Sequence, residues 1–169
     1  MTSRSAAMFL SPEDLDERMK VEGNCSAILA MAARIPEVKE RFAEAKIKDY
    51  LQPLVGVLCF GTPWARGHAC RAIGNFAGEK RFRGEVAELP RTMKEAVLQV
   101  ILDMLKEHKT DGQRYAVVAL CNLVRAEGIV RQLLLMKDTV PTLKEAQQHG
   151  TAETIQDANH CLALIARFR

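Results

Sequence analysis

Small apolar residues recur along the stretch 64–77, WARGHACRAIGNFA, in a pattern that only a helix reads as one face. At about 3.6 residues per turn, Ala65, Ala69, Ala72, Ile73 and Phe76 share a side. Three of the five are alanines, where a solitary core helix would carry Leu or Ile, so a second helix can approach this face closely. The stretch also has copies. Ala72-Ile73-Gly74-Asn75-Phe76-Ala77 aligns with Ala119-Leu120-Cys121-Asn122-Leu123-Val124 at an offset of 119 − 72 = 47. It aligns upstream with 27–32 (AILAMA) at 72 − 27 = 45, and 161–166 (CLALIA) follows the second copy at 161 − 119 = 42. Near-constant spacing of this kind marks a repeat protein, with copies centred near 24–34, 64–78, 113–125 and 155–167.

The remaining pattern supplies the partner helices. Ser11-Pro12-Glu13-Asp14 reads as a helix start, with Ser as N-cap, Pro at the first position and acids beside the positive helix end. That helix is expected to run to about Val21 and to break at Gly23. Pro36 opens another, with Val38, Phe42 and Ala45 as its stripe, and 48–60 carries Leu51, Leu54, Val55 and Leu58 with Pro53 in its first turns. Gly61-Thr62-Pro63 stops one helix and starts the next, Thr62 serving as cap. The charged stretch 78–90 reads as weakly helical. Helix 92–107 then buries Val97, Ile101, Leu102 and Leu105, and Thr110-Asp111-Gly112 reads as a turn. Gly128 separates the third copy from a short helix 129–136, Asp138-Thr139 cap one over 140–149, and Gly150-Thr151 break it before the last copy. No segment alternates with period two, so no sheet is expected.

Composition narrows the class. Across 169 residues, 48% hydrophobic and 27% charged content is that of a globular domain, and 11–169 reads as one domain behind a loose tail, 1–10. Arg4 and the hydroxyl residues near it partly resemble a transit peptide, but acids begin at Glu13 and no Arg-rich amphipathic helix precedes them. The apolar runs 57–60 and 133–136 are far too short to span a bilayer, so no membrane partner is expected. A net charge of +3 lacks the strong basic bias of nucleic-acid binders. Cys25, Cys59, Cys70, Cys121 and Cys161 are odd in number and widely separated. Most fall in the repeated motif, with Cys25 placed as the equivalent of Cys70, so they read as reduced core thiols in a reducing, cytoplasmic compartment, an organelle remaining open.

The central copies, Ala69-Cys70-Arg71-Ala72-Ile73-Gly74-Asn75-Phe76 and Ala116-Val117-Val118-Ala119-Leu120-Cys121-Asn122-Leu123, carry the pattern A-x-x-A-[LI]-x-N-[LF]. A helix of E/K-x-L-P-x-L type follows, as Val140-Pro141-Thr142-Leu143 and more loosely Leu51-Gln52-Pro53-Leu54. This pattern resembles the armadillo repeat. The outer copies lose the Asn, with Ala30 and Leu164 in its place, and HEAT repeats share the architecture, so the subclass stays open. The resemblance implies an all-α, right-handed solenoid of three-helix units whose third helices line a groove for extended peptides or partner proteins. Stacking has a physical reason too, because one unit cannot bury its apolar face alone.

With the small faces buried, the opposite face can be followed from repeat to repeat. One rung is Ser26, Arg71, Val118 and His160; a second is Ala30, Asn75, Asn122 and Leu164; a third is Ala33, Gly78, Arg125 and Arg167, with Arg114 one turn before Val118. An Asn amide can bond both the N–H and the C=O of a passing extended chain. Arg71, Arg114 and Arg125 would favour acidic side chains or a C-terminal carboxylate. The competing reading has Asn75 and Asn122 bonding their own repeat and the arginines solvated. Importin-alpha proteins place a Trp four residues before such an Asn to hold lysine stems. Arg71 and Val118 stand there in this chain, so basic import signals are not the expected cargo.

Other chemistry finds little support. His68 with Cys70, and His160 with Cys161, lack the convergent short spacings of a zinc site, and a Cys–His nucleophile lacks its third member. No phosphate loop is present, since 74–78 lies on a repeat helix, and no cofactor is expected. The basic cluster 78–83 reads as a solvated loop, an RNA or acidic-partner contact being the alternative. Trp64 reads as core or inter-repeat packing rather than as a ligand platform. The last residues, 162–169, end the pattern within a repeat, so Leu164 and Phe168 are expected either to form an apolar patch for self-association or docking into a larger complex, or to fold back on 139–149. The expected function is a non-enzymatic adaptor or scaffold that binds a protein or peptide, with an acidic ligand favoured. An armadillo-type co-chaperone or nucleotide exchange factor and a nucleic-acid-binding helical repeat are the alternatives.

Overall fold

The computed structural model describes residues 12–44, 47–107 and 110–168, and among them every regular element is an α-helix. In order they are α1 (Pro12–Ala32), α2 (Pro36–Glu44), α3 (Ile47–Phe60), α4 (Pro63–Phe76) and α5 (Lys80–Ala87). There follow α6 (Arg91–Leu105), α7 (Asp111–Leu123), α8 (Glu127–Leu135), α9 (Thr139–His149) and α10 (Ala152–Ala166). Helices α1, α4, α7 and α10 pack in succession, each on the next. Behind them α3, α6 and α9 form a second row, each against the third helix of its own unit, and α5 meets α8. The described chain is therefore an α-solenoid of three-helix units, α2–α4, α5–α7 and α8–α10, with α1 in the place of a third helix ahead of them. Ser11, Ala45, the Phe42 side chain and the tail 1–10 lie outside the described residues.

The small-faced stretch behaves as its pattern requires. Ala65, Ala69, Ala72, Ile73 and Phe76 are all buried, as are Ala116, Ala119, Leu120 and Leu123 in the next copy. Gly74 marks the closest approach: a Cβ there would lie 3.0 Å from the Ala119 Cα and 3.1 Å from its Cβ. A side chain on Gly74 would have to push the α7 backbone away by a few tenths of an ångström. Downstream, Ala158, Cys161 and Ile165 are buried and keep the 42-residue offset, for example 158 − 116 = 42.

The structure corrects several readings of the sequence. The helix does not break at Gly23, because α1 runs through it to Ala32. Gly23 serves packing instead, since a Cβ there would come within 2.4 Å of the Trp64 ring. The upstream offset is 44, not 45: Gly23, Ser26, Ala30 and Ala33 are buried and match Gly67, Cys70, Gly74 and Ala77, as in 74 − 30 = 44. Ser26, Ala30 and Ala33 thus face α4 rather than the groove, and Cys25 is exposed rather than in the core. The weakly helical stretch 78–90 contains the short helix α5, whose Phe82 and Val86, one turn apart, are its buried positions. Phe82 stacks on Tyr50 at 6.2 Å and meets Phe76 at 5.5 Å, tying three helices together. The cluster 78–83 is not a solvated loop either, because Arg83 donates to the Ala77 and Gly78 carbonyls, both at 2.7 Å, and closes the end of α4.

Helix ends show a recurring device. Thr62, Thr110 and Thr151 are the N-caps of α4, α7 and α10, their hydroxyls accepting from the N–H of Ala65 (3.2 Å), Gln113 (3.0 Å) and Thr154 (3.3 Å). Thr110-Asp111-Gly112 therefore begins a helix instead of forming a separate turn. Gly128 lies inside α8, and Asp138 makes no side-chain cap; Thr139 donates to the Leu133 carbonyl at 2.8 Å. Pro53 falls in the second turn of α3, where it leaves the carbonyl four residues earlier without a helical partner.

Two outcomes follow for stability. Gly74→Ala and Ala119→Leu each overfill the α4–α7 contact and should lower stability by about 1–3 kcal/mol in denaturant titration; an unchanged midpoint for Ala119→Leu would separate these helices. The buried thiols give a pH signature. Burial pushes Cys70 up from 9.0 to about 12 and Cys121 to about 11, and it also raises Cys161. Because the folded values lie above the unfolded one, their stabilisation is complete below pH 9.0 and is lost as pH climbs towards 11 and 12. Melting temperature should fall through that window, less steeply in Cys70→Ala/Cys121→Ala. At neutral pH a thiol reagent should modify Cys25 first and these buried thiols only on unfolding.

Candidate interaction groove

The Asn side chains at the repeated position tie each third helix to the one before it. Asn75 Nδ2 donates to the Ala30 carbonyl at 2.8 Å, and Asn122 Nδ2 donates to the Gly74 carbonyl at 2.9 Å. These bonds span 45 and 48 residues, so they join neighbouring units and are not bonds within one repeat. They depend on the small residues opposite. Only where a glycine or alanine lets the backbones close up does a short amide reach the next helix's carbonyl. Both asparagines are half-buried, and each keeps a second N–H and its side-chain oxygen beyond the ladder bond.

Beside Asn75 a cleft of about 320 Å³ opens between the end of α1, α4 and α7, lined by Arg34, Arg71, Asn75, Arg114, Tyr115 and Val118. The Arg71 guanidinium lies over the Tyr115 ring, 5.2 Å from its centroid, which holds the charge at the cleft wall. Arg114 reaches Glu153 of α10 at 3.5 Å, both side chains being more than half exposed. A second hollow of about 220 Å³ lies one turn towards the start of α4 and shares Tyr115; Trp64, Arg66 and His68 line one wall, Glu107 and Asp111 another. His68 packs edge-on to Trp64 at 4.6 Å, and burial, reinforced by Arg71, lowers its pKa while Asp111 opposes. Among the described residues, Arg66 Nε and His68 Nδ1 are buried without a hydrogen-bond partner.

The first seam carries three arginines, whereas α10 presents Glu153 and Asp157. Burial raises the Asp157 pKa, with His160 and Arg114 pulling it back.

The structure brings together Arg71, Asn75, Arg114 and Val118 of the residues picked from sequence, and it leaves others apart. Asn122 repeats the Asn75 arrangement one unit on. Arg125 and His160 are exposed and lie outside that cleft. At the end of α10, Leu164 is half-buried against the core, whereas Phe168 is 46% exposed. Trp64 does pack between repeats, on Gly23, yet 52% of it stays exposed. Arg34 and Tyr115 escaped the sequence reading. Arg34 was hidden by the one-residue error in offset, since 78 − 44 = 34 places it on the rung of Gly78 and Arg125. Tyr115 had no signal beyond lying next to Arg114. Among the described residues no three His, Cys, Asp or Glu come together to hold a metal ion, and no helix is long and apolar enough to cross a membrane.

No protein-family model matches the sequence, and no curated protein does. Solved structures do share the fold. A computationally designed armadillo repeat protein for modular peptide recognition superposes with a TM-score of 0.66 at 23% identity, over 86% of this chain and 58% of that one. An engineered protein follows at 0.64 and 19%, over 88% and 57%. A designed armadillo repeat protein in complex with the peptide (KR)4 gives 0.59 and 21%, over 94% and 60%. The chain thus spans less than two thirds of the length of each. It has the armadillo-type repeat fold.

The ladder bond predicts an unequal pair of substitutions. Asn122→Ala should cost about 0.5–1.5 kcal/mol in chemical denaturation. Asn122→Asp should cost more, because a carboxylate has no donor for the Gly74 carbonyl and repels it. Equal stability of Asn122→Asp and the wild type would remove the bond.

Proposed function

We propose that this chain is a non-enzymatic interaction module, an adaptor or scaffold subunit, that binds an extended acidic peptide of a partner protein along the face of α1, α4, α7 and α10. One observation carries the reading. Asn75 and Asn122 occupy equivalent points on successive units, each pinned by one N–H to the preceding helix, with a remaining donor and acceptor for a passing main chain. Main-chain capture of this kind tolerates varied sequence and leaves selection to the side chains beside it. Those side chains are Arg34, Arg71 and Arg114, which prefer carboxylates. The designed neighbours support peptide binding in general, and the one that holds (KR)4 takes a ligand of the opposite charge. Five free thiols suit a reducing compartment such as the cytoplasm.

Fluorescence anisotropy with labelled degenerate peptides tests the reading. Acidic libraries should bind with micromolar affinity and basic ones should not, and Asn75→Ala/Asn122→Ala should weaken the acidic library at least about tenfold. Binding of neither library, or an affinity untouched by the double substitution, would overturn it.

A further inference from the structure

We propose that the cleft between α1, α4 and α7 is a pocket for a phosphorylated side chain, a phosphoserine or phosphothreonine carried by the peptide in the groove; this rests on the groove reading above. Three arginines, Arg34 in the turn after α1, Arg71 on α4 and Arg114 on α7, line one cleft whose lining contains no carboxylate. Gathering like charges costs stability unless an anion joins them. One of the three is partly answered already, since Arg114 sits 3.5 Å from Glu153. Two positive charges remain, which matches a phosphate near its dianionic form and exceeds a single carboxylate.

The geometry is prepared for such a ligand. The Tyr115 ring, 5.2 Å below the Arg71 guanidinium, restricts where that charge sits, so less side-chain freedom is lost when its fork meets two phosphate oxygens. Asn75 is held at 2.8 Å by the Ala30 carbonyl and keeps a second N–H for a third oxygen or for the main chain beside it. Val118 offers an apolar wall for the stem of a serine or threonine. A cleft of about 320 Å³ takes the group without rearrangement of the helices. The same anion chemistry is available from free phosphate or a lipid headgroup, and the probes below separate them.

The test uses the full chain and short fluorescein-labelled degenerate peptides with phosphoserine, glutamate or serine fixed at the centre. Inorganic phosphate serves as competitor, and vesicles of phosphatidylcholine with phosphatidylserine are a separate probe. The phosphoserine library should bind at least about tenfold more tightly than the glutamate library. Arg34→Gln, at an exposed position, and Arg71→Gln should each erase that preference, with melting curves showing both variants folded. Arg71→Lys should erase most of it as well, because a point charge does not replace a planar fork. Equal binding of the phosphoserine and glutamate libraries, or a preference that survives Arg34→Gln and Arg71→Gln, would overturn the pocket while the groove stands. Binding of no library overturns both readings. Inorganic phosphate that binds as tightly as the phosphopeptides, or vesicles that bind more tightly, would also overturn the phosphopeptide assignment.

Discussion

Everything in this molecule depends on how closely α4 and α7 approach at Gly74. With an ideal Cβ only 3.0 Å from the Ala119 Cα, the two backbones sit in contact. That contact sets the pitch of the stack, and it brings the Gly74 carbonyl within 2.9 Å of the Asn122 amide. The apolar burial behind it is non-directional and would tolerate sliding. The amide–carbonyl bond does not tolerate sliding, so it sets the register of one unit on the next. Ala30 and Asn75 repeat the arrangement at the α1–α4 seam.

In the proposed reading the same amides connect stability to recognition. Each has one hydrogen committed to the stack and presents its other polar atoms at the groove, so a bound chain would be measured against a fixed ruler of asparagines. The proposed ligand's side chains would then meet the arginines beside the rungs. Arg34 after α1, Arg71 on α4 and Arg114 on α7 line one cleft because the stack is in register. Further along, Glu153 and Asp157 add acids that face Arg114 and His160, so charge is mixed at the α7–α10 seam.

Much of this was legible in the chain. The 47- and 42-residue offsets survive because Ala116, Ala119 and Leu123 have buried counterparts of similar size on both sides. The first copy misled because its outward face imitates a core face: Ile28 and Met31 are 60% and 56% exposed, while the residues turned to α4 are the smaller Ser26, Ala30 and Ala33. Gly23 read as a break because its reason, the Trp64 ring, comes from another unit. Helix α5 was obscured by its brevity and charge, with Phe82 and Val86 as its only buried pair. Arg34 followed the error in register. Local pattern thus revealed what repeats, but contacts between units decided where the first repeat begins and which arginines meet.

The most direct measurement is the side-chain amide spectrum of the 15N-labelled protein by NMR. If Asn75 and Asn122 link successive helices and also face the ligand, each should show one Nδ2 proton protected from solvent exchange. Both pairs should shift on titration with the acidic degenerate peptides, while the Gln52 side chain, exposed on α3 of the second row, stays still. Rapid exchange of both protons on each residue, together with unmoved signals at saturating peptide, would contradict the account.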